Sequence, residues 1–163
     1  MAGSTSKKVV VRRFEREPLT GFINPQKYLQ AGGVELLSPA GSLVTVPYDE
    51  VKTVCFVRDF LPDDMARERK VFGSRPKKEG LWVRLRFRDG DSLEGLMPNN
   101  LVQPEPAGYT ITPPDPRSNN QRMFVPRAAL EELQVLGVIQ SPLRPRRAPA
   151  VSKQQLEMFE ENV

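Results

Sequence analysis

Apolar and polar residues alternate most cleanly at Trp82–Arg88, where Val83, Leu85 and Phe87 fall between Trp82, Arg84, Arg86 and Arg88. A period of two predicts a strand with one buried face and one solvent face. Asp89-Gly90 follows directly and signals a tight hairpin, with Leu93–Met97 as the returning strand. The same short-run pattern recurs along the chain. Val9–Phe14, Leu19–Ile23, Val34–Leu37, Leu43–Val46 and Val51–Val57 predict five strands in the first half. Tyr109–Thr112, Met123–Val125 and Leu130–Val138 complete a second set. Gly, Pro and Asn punctuate nearly every junction, as at Asn24-Pro25 and Ser38-Pro39-Ala40-Gly41.

The two sets carry the same landmarks in the same order, and such self-similarity has to be settled before any fold is assigned. Phe14 and Phe87 close a first strand. Leu19-Thr20-Gly21-Phe22 and Leu93-Glu94-Gly95-Leu96 open a second, and Gly33-Val34 and Gly108-Tyr109 begin a third. Val46-Pro47 and Val125-Pro126 precede the last strand. The displacement between copies drifts from 73 residues at Phe14/Phe87 to 79 at Val46/Val125, with the drift in turns. The expected fold is all-β: tandem duplicated five-stranded small barrels, 9–58 and 81–139. Around them the sequence predicts a flexible leader at 1–8, a linker at 59–80 and a disordered basic tail at 140–163. Pro62-Asp63-Asp64 opens a short helix in the linker over Met65–Phe72, and Tyr48-Asp49-Glu50 makes a single helical turn.

With 163 residues, 39% of them hydrophobic, two modules of this size would each be marginal alone. They are therefore expected to pack on each other. Histidine is absent, which removes the commonest general base and metal ligand. The single Cys55 excludes internal disulfides, and its flanks Val54 and Phe56 make it a small buried hydrophobe. No apolar run is long enough for a membrane helix and no signal peptide precedes Val9, so the expected location is the cytoplasm. The pairs Asp63-Asp64 and Asp89/Asp91 are explained by a helix start and a hairpin turn. No catalytic residue, metal site or cofactor is expected, and the predicted activity is binding rather than catalysis.

The formal charge of +4 suits a polyanionic partner without identifying one. Arg84, Arg86 and Arg88 on one strand face, Lys77 and Lys78 in the linker, and Arg144, Arg146 and Arg147 in the tail are the candidates for neutralising nucleic-acid phosphates without reading bases. Charged residues of a solvated sheet face produce the same pattern.

Several resemblances sharpen these expectations. The order of strand, charged turn, Leu-x-Gly strand, Val-Pro step and closing strand resembles Sm-like and SH3-like small barrels over Val9–Val138, without an Asp-x-x-x-Asn uridine signature. Arg12 and Arg16 resemble the arginine spacing of the PilZ family, which implies a cyclic-dinucleotide sensor. The Asp/Asn-x-Ser-x-x-Gly turn of that family is missing, with Ser38-Pro39-Ala40-Gly41-Ser42 in its stead. The phrases GLWVRLRFRDGDSLEG and VPRAALEELQVLG resemble those of an uncharacterised bacterial domain family. Finally, Gln155-Leu156-Glu157-Met158-Phe159 resembles the pentapeptide by which bacterial polymerases and repair proteins dock on the sliding clamp. That resemblance implies a hydrogen bond from Gln155 at a pocket rim and an apolar groove filled by Leu156, Met158 and Phe159. It makes the chain an adaptor: the barrels hold one protein partner and the tail recruits the clamp. The same residues also fit a short amphipathic helix folded back on the barrels, with Leu156 and Phe159 on one face.

Overall fold

The computed structural model describes residues 6–60, 69–99 and 105–140. Among these the chain is all-β apart from one 3-10 turn at Arg127–Ala129. The strands are β1 (Lys7–Arg13), β2 (Arg16–Ile23), β3 (Leu29–Gln30), β4 (Gly33–Leu37), β5 (Leu43–Val46), β6 (Val51–Val57), β7 (Gly80–Phe87), β8 (Ser92–Met97), β9 (Gly108–Ile111), β10 (Asn120–Pro126) and β11 (Leu130–Ile139).

Eight strands form one curled sheet in the order β3-β4-β2-β1-β6-β10-β9, with β5 paired to β4; three more form the sheet β11-β7-β8. A single antiparallel bridge, Leu96↔Thr112, connects β8 to the residue that follows β9. All the pairings are antiparallel, those of consecutive strands such as β1/β2 and β7/β8 through hairpins. The turn between β1 and β2 is made by Glu15 at φ 57, and Gly90 at φ 94 turns the chain between β7 and β8. Pro47 and Pro126 each begin a tight turn before a long strand. Glu50 N–H donates to Pro47 O at 3.0 Å, and Val51 N–H to Tyr48 O at 3.3 Å.

Two apolar clusters fill the interior. Val9, Val11, Ile23, Val34, Leu36, Val46, Val51, Val54 and Phe56 gather in one, around Tyr28. Leu81, Val83, Leu85, Phe87, Ile111, Val125 and Ala129 gather in the other. β10 belongs to both, because alternation sends Phe124 into the first and Val125 into the second. Tyr28 meets the Phe56 and Phe124 rings edge-on, with centroids 5.7 and 5.9 Å away. A fully buried phenylalanine stabilises by about 2–3 kcal/mol, and an exposed ion pair by about 1 or less. Phe124 therefore fastens β10 to the first cluster more firmly than any surface charge across the joint.

Most predicted strands are present, with shifted ends. β1 takes in Lys7 and Lys8, assigned above to the leader, and β10 begins three residues before Met123. The two-residue strand β3 carries no periodic signal and was not anticipated. Of the expected linker helix Met65–Phe72, residues 65–68 lie outside the described residues, and Arg69–Phe72 is irregular rather than helical. The cause is lateral pairing. Lys70 O accepts from Glu94 N–H at 2.7 Å, and Phe72 N–H donates to the Glu94 carboxylate at 3.3 Å, so the segment is laced to β8. Among the described residues no helix is long and apolar enough to cross a membrane.

Candidate functional site

The arginines of β7 are where alternation puts them, on the exposed face, but each is already engaged. Arg84 lies 3.4 Å from Glu94 of β8. Arg86 lies 3.2 Å from Glu131 and 4.0 Å from Glu132, both on β11. Arg88 stacks 4.0 Å above the Phe14 ring and donates to Ala128 O and Asp49 O. Flanking strands thus supply acids to Arg84 and Arg86, and two neighbouring turns supply carbonyl acceptors to Arg88, which follows β7. Arg144, Arg146, Arg147, Gln155, Leu156, Met158 and Phe159 lie outside the described residues.

Lys77 and Lys78 are placed differently. They stand on the rim of a cleft of about 560 Å³ where the end of β6, the linker, β8 and the loop before β10 converge. Arg58, Arg69 and Arg75 line the same cleft, and Asp115 is the one carboxylate among its lining residues. Asp115 is itself occupied, accepting from Arg117 N–H at 3.0 Å. Arg75 donates to Val138 O at 3.2 Å. Arg58, Arg69, Lys77 and Lys78 have no ion pair among the described residues. Pro113, Pro114 and Pro116 stiffen one wall, and Phe72 stands edge-on to Trp82 in another, with centroids 6.3 Å apart.

Asn120 also lines the cleft. It is 2% exposed, yet neither its side-chain oxygen nor its nitrogen has a hydrogen-bond partner among the described residues. A buried amide without partners costs roughly 1–3 kcal/mol, so an exception of this kind calls for a reason. Its neighbour Asn119 has a plain structural role, clasping Arg58 N–H, Asp59 N–H and Asp59 O.

A second hollow of about 370 Å³ continues the first, sharing Lys78, Thr112 and Gln121. It adds Lys7, Lys8 and Arg122, and no acid. Lys8 pairs with Asp59 at 3.7 Å, and Arg122 lies 4.4 Å above the Phe56 ring. Among the described residues the combined surface is lined by eight cationic side chains and a single carboxylate, which makes it a positive groove.

A third hollow, of about 380 Å³, lies between the β1–β2 turn and the β7–β8 hairpin. Lys52 lies at its centre, 2.7 Å from Asp89 and 2.8 Å from Asp91. The ammonium also stands 5.2 Å from the Phe87 ring centroid. Burial works to lower the Lys52 pKa, but the hydrogen bonds from its ammonium to Asp89 and Asp91 outweigh it and hold the pKa above 10.5. Those same bonds hold both carboxyls below 3.8, in Asp89 against the opposing effect of burial. With Lys70 3.4 Å from Asp91 the two carboxylates are balanced by two ammonium groups, and the cluster ties β6 to the β7–β8 turn. Of the two arginines of the PilZ-like spacing, Arg12 lines this hollow and Arg16 lies 3.9 Å from Glu50. No group of three His, Cys, Asp or Glu residues is placed to hold a metal ion among the described residues.

Sequence inspection singled out Lys77 and Lys78 but missed Arg58 and Asn120 as parts of a site. Arg58 follows β6 and Asn120 opens β10, and only the pairing of those strands brings them together.

Fold and cleft together define a class: an all-β chain with a positive groove at the meeting of its two sheets. The chain belongs to the family of unknown function DUF6982, whose match spans residues 5–137. That span takes in all eleven strands except the last two residues of β11, and it stops short of Gln155–Phe159. No curated protein and no solved structure matches the chain.

Proposed function

We propose that this chain is a non-catalytic binding protein, a pair of quasi-equivalent five-stranded barrels whose shared groove takes a nucleic-acid backbone without reading its sequence.

Support for the duplication comes from strand register. Val9↔Gly21 and Val11↔Leu19 of β1/β2 recur as Val83↔Gly95 and Leu85↔Leu93 of β7/β8. Val54↔Val11 and Phe56↔Val9 recur as Leu133↔Leu85 and Val135↔Val83, and the irregularity at Val51 recurs at Leu130. Val34↔Val46 recurs as Tyr109↔Val125, and the lone pair Phe22↔Leu37 as the bridge Leu96↔Thr112. The strand order β6-β1-β2-β4-β5 is thereby matched by β11-β7-β8-β9-β10. On this correspondence Phe87 matches Arg13 rather than Phe14, one residue from the alignment that the sequence suggests.

The observation that carries the binding proposal is the set Arg58, Arg69, Lys77 and Lys78, which line one groove without an ion pair among the described residues while Arg84 and Arg86 of β7 are paired. Free cations in a groove release condensed counterions when they meet phosphates. Phe72 and the proline wall offer apolar surface beside the charge, as single strands use for base stacking. The test is retention of a fluorescent single-stranded oligonucleotide across a salt series. Lys77→Glu/Lys78→Glu is expected to weaken binding by tenfold or more at low salt and to flatten the salt slope by about 0.7 per lost contact. Arg84→Glu/Arg86→Glu is expected to change it far less. Equal losses from both pairs, or affinity indifferent to salt, would reject the groove.

The adaptor function rests on Gln155, Leu156, Met158 and Phe159 alone, and is compatible with the groove, since the peptide follows β11 at a distance of more than a dozen residues.

A further inference from the structure

Seven large apolar side chains are exposed among the described residues, and five of them, Leu37, Leu43, Val44, Val135 and Val138, lie on β4, β5 and β11. Among the described residues β5 and β11 each have one hydrogen-bonded strand neighbour, β4 and β7 respectively, and no strand on the other edge. Open edges are ordinarily blunted by charge or proline. Leu43–Val46 and Leu133–Ile139 carry neither.

The joint inside the chain indicates what covers such edges. There β6 and β10 pair as Phe56↔Arg122, Cys55↔Met123 and Val54↔Phe124. Under the strand correspondence proposed above, on which this inference rests, β11 stands where β6 stands and β5 where β10 stands. Carrying the joint's register over sets Val135 opposite Leu43, Gln134 opposite Val44 and Leu133 opposite Thr45. Leu43 at 65% exposure and Val135 at 52% are the most exposed apolar residues of the two edges, and this register makes them direct neighbours. In the internal joint the matching residues Cys55, Phe56 and Met123 are buried.

We propose that a second copy of this chain docks its β5 on β11, antiparallel and head to tail, repeating between chains the joint that β6 and β10 make within one. The contact is heterologous, so an open assembly keeps one free β5 edge and one free β11 edge at its two ends until a ring closes. The occupant is a copy of the same chain because the internal β6–β10 joint shows how such edges pair, and because Leu43–Val46 and Leu133–Ile139 match in the placement of their exposed apolar residues and in carrying no charge.

The test uses full-length protein in a Cys55→Ala background, one batch carrying Val44→Cys and the other Gln134→Cys. Directly opposed residues of an antiparallel ladder have Cα atoms about 4.5–5.5 Å apart, within disulfide reach. Mixing the two batches under mild oxidation is expected to give a cross-linked dimer that neither batch gives alone. No cross-link in the mixture, or equally efficient cross-linking of a single batch, would overturn the proposal. Sedimentation provides the second measurement: the wild-type chain is expected to sediment as an assembly, and Val135→Lys as a single chain with unchanged far-ultraviolet circular dichroism. A wild-type chain that stays monomeric at every concentration overturns it as well. The matched control is Met123→Cys with the native Cys55, expected to form a bridge within one chain. Failure of the interchain bond beside success of this control rejects the assembly and leaves the duplication standing; failure of the control rejects the joint on which both rest.

Discussion

Trp82 donates its indole N–H to Glu94 at 3.0 Å, across the β7–β8 pair, and that carboxylate is only 5% exposed. Phe72 N–H and the Arg84 guanidinium also reach it, at 3.3 and 3.4 Å. Glu94 thus ties β8 to β7 and to the linker that borders the groove. Replacing it by Leu leaves the indole N–H and Phe72 N–H without their acceptor. The expected loss is about 2–3 kcal/mol, since hydrogen bonds to a charged group are the stronger kind. Chemical denaturation followed by Trp82 fluorescence measures it, and an unchanged midpoint would contradict the assignment.

Lys52, Asp89 and Asp91 predict an acid-sensitive clamp. Both carboxyls are held below their ordinary 3.8 in the folded chain. A depressed carboxyl pKa contributes stability that is present above the unfolded value and is lost as pH falls through the folded one. Stability should therefore drop on acidification below about pH 4, and Lys52→Met should remove part of that slope. The raised Lys52 pKa has the opposite sign: its contribution is complete below 10.5 and fades as pH rises beyond that value. Both carboxylates remain substantially exposed, so solvent screening keeps the effect small. Thermal melts of the two proteins across an acid series would decide the matter.

Gly21 and Gly95 are expected to fail in the same way. A Cβ at Gly21 would stand 2.5 Å from Leu37 O, and one at Gly95 2.0 Å from Ile111 Cγ2. Ala at either site should cost on the order of 3 kcal/mol through overpacking. Gly73→Ala, where a Cβ meets nothing within 4 Å, should fall within about 0.5 kcal/mol of wild type. Parallel melts of the three variants give the comparison.

Asn120→Leu separates folding from binding. It removes two buried polar atoms that lack partners in the folded chain, so stability should hold or rise by about 1 kcal/mol. If the amide serves a ligand in the groove, oligonucleotide affinity should fall at the same time. A stabilised variant with intact affinity would assign the residue no part in binding.

The C-terminal peptide is tested apart from the groove. Titration of purified bacterial sliding clamp with the full chain and with Leu156→Ala/Phe159→Ala should show binding only by the former, about 2 kcal/mol or more apart if both side chains act as anchors. Indistinguishable titrations would remove the adaptor function.

The strands were legible because their signals are local. Val83, Leu85 and Phe87 announce β7 by alternation, Asp89-Gly90 announces its turn, and Leu-x-Gly marks β2 and β8 in each half. The pairing of β6 with β10 was not legible, because it joins segments some seventy residues apart and leaves no periodicity in either. The site was obscured for the same reason. Arg84, Arg86 and Arg88 look free on one strand, but Glu94, Glu131 and Glu132 reach two of them only once register is known. Arg58 and Asn120 looked unremarkable until β6 and β10 brought them to one wall.

Because β10 feeds Phe124 to one cluster and Val125 to the other, the first cluster is incomplete without the carboxy-terminal half, while the second draws on the amino-terminal half only through Phe14 packed against it. Cutting within the linker would strip the amino-terminal fragment of a core aromatic and leave β6 with a bare flank. The halves therefore melt together: calorimetry should record one endotherm, and the amino-terminal fragment should not fold when expressed by itself.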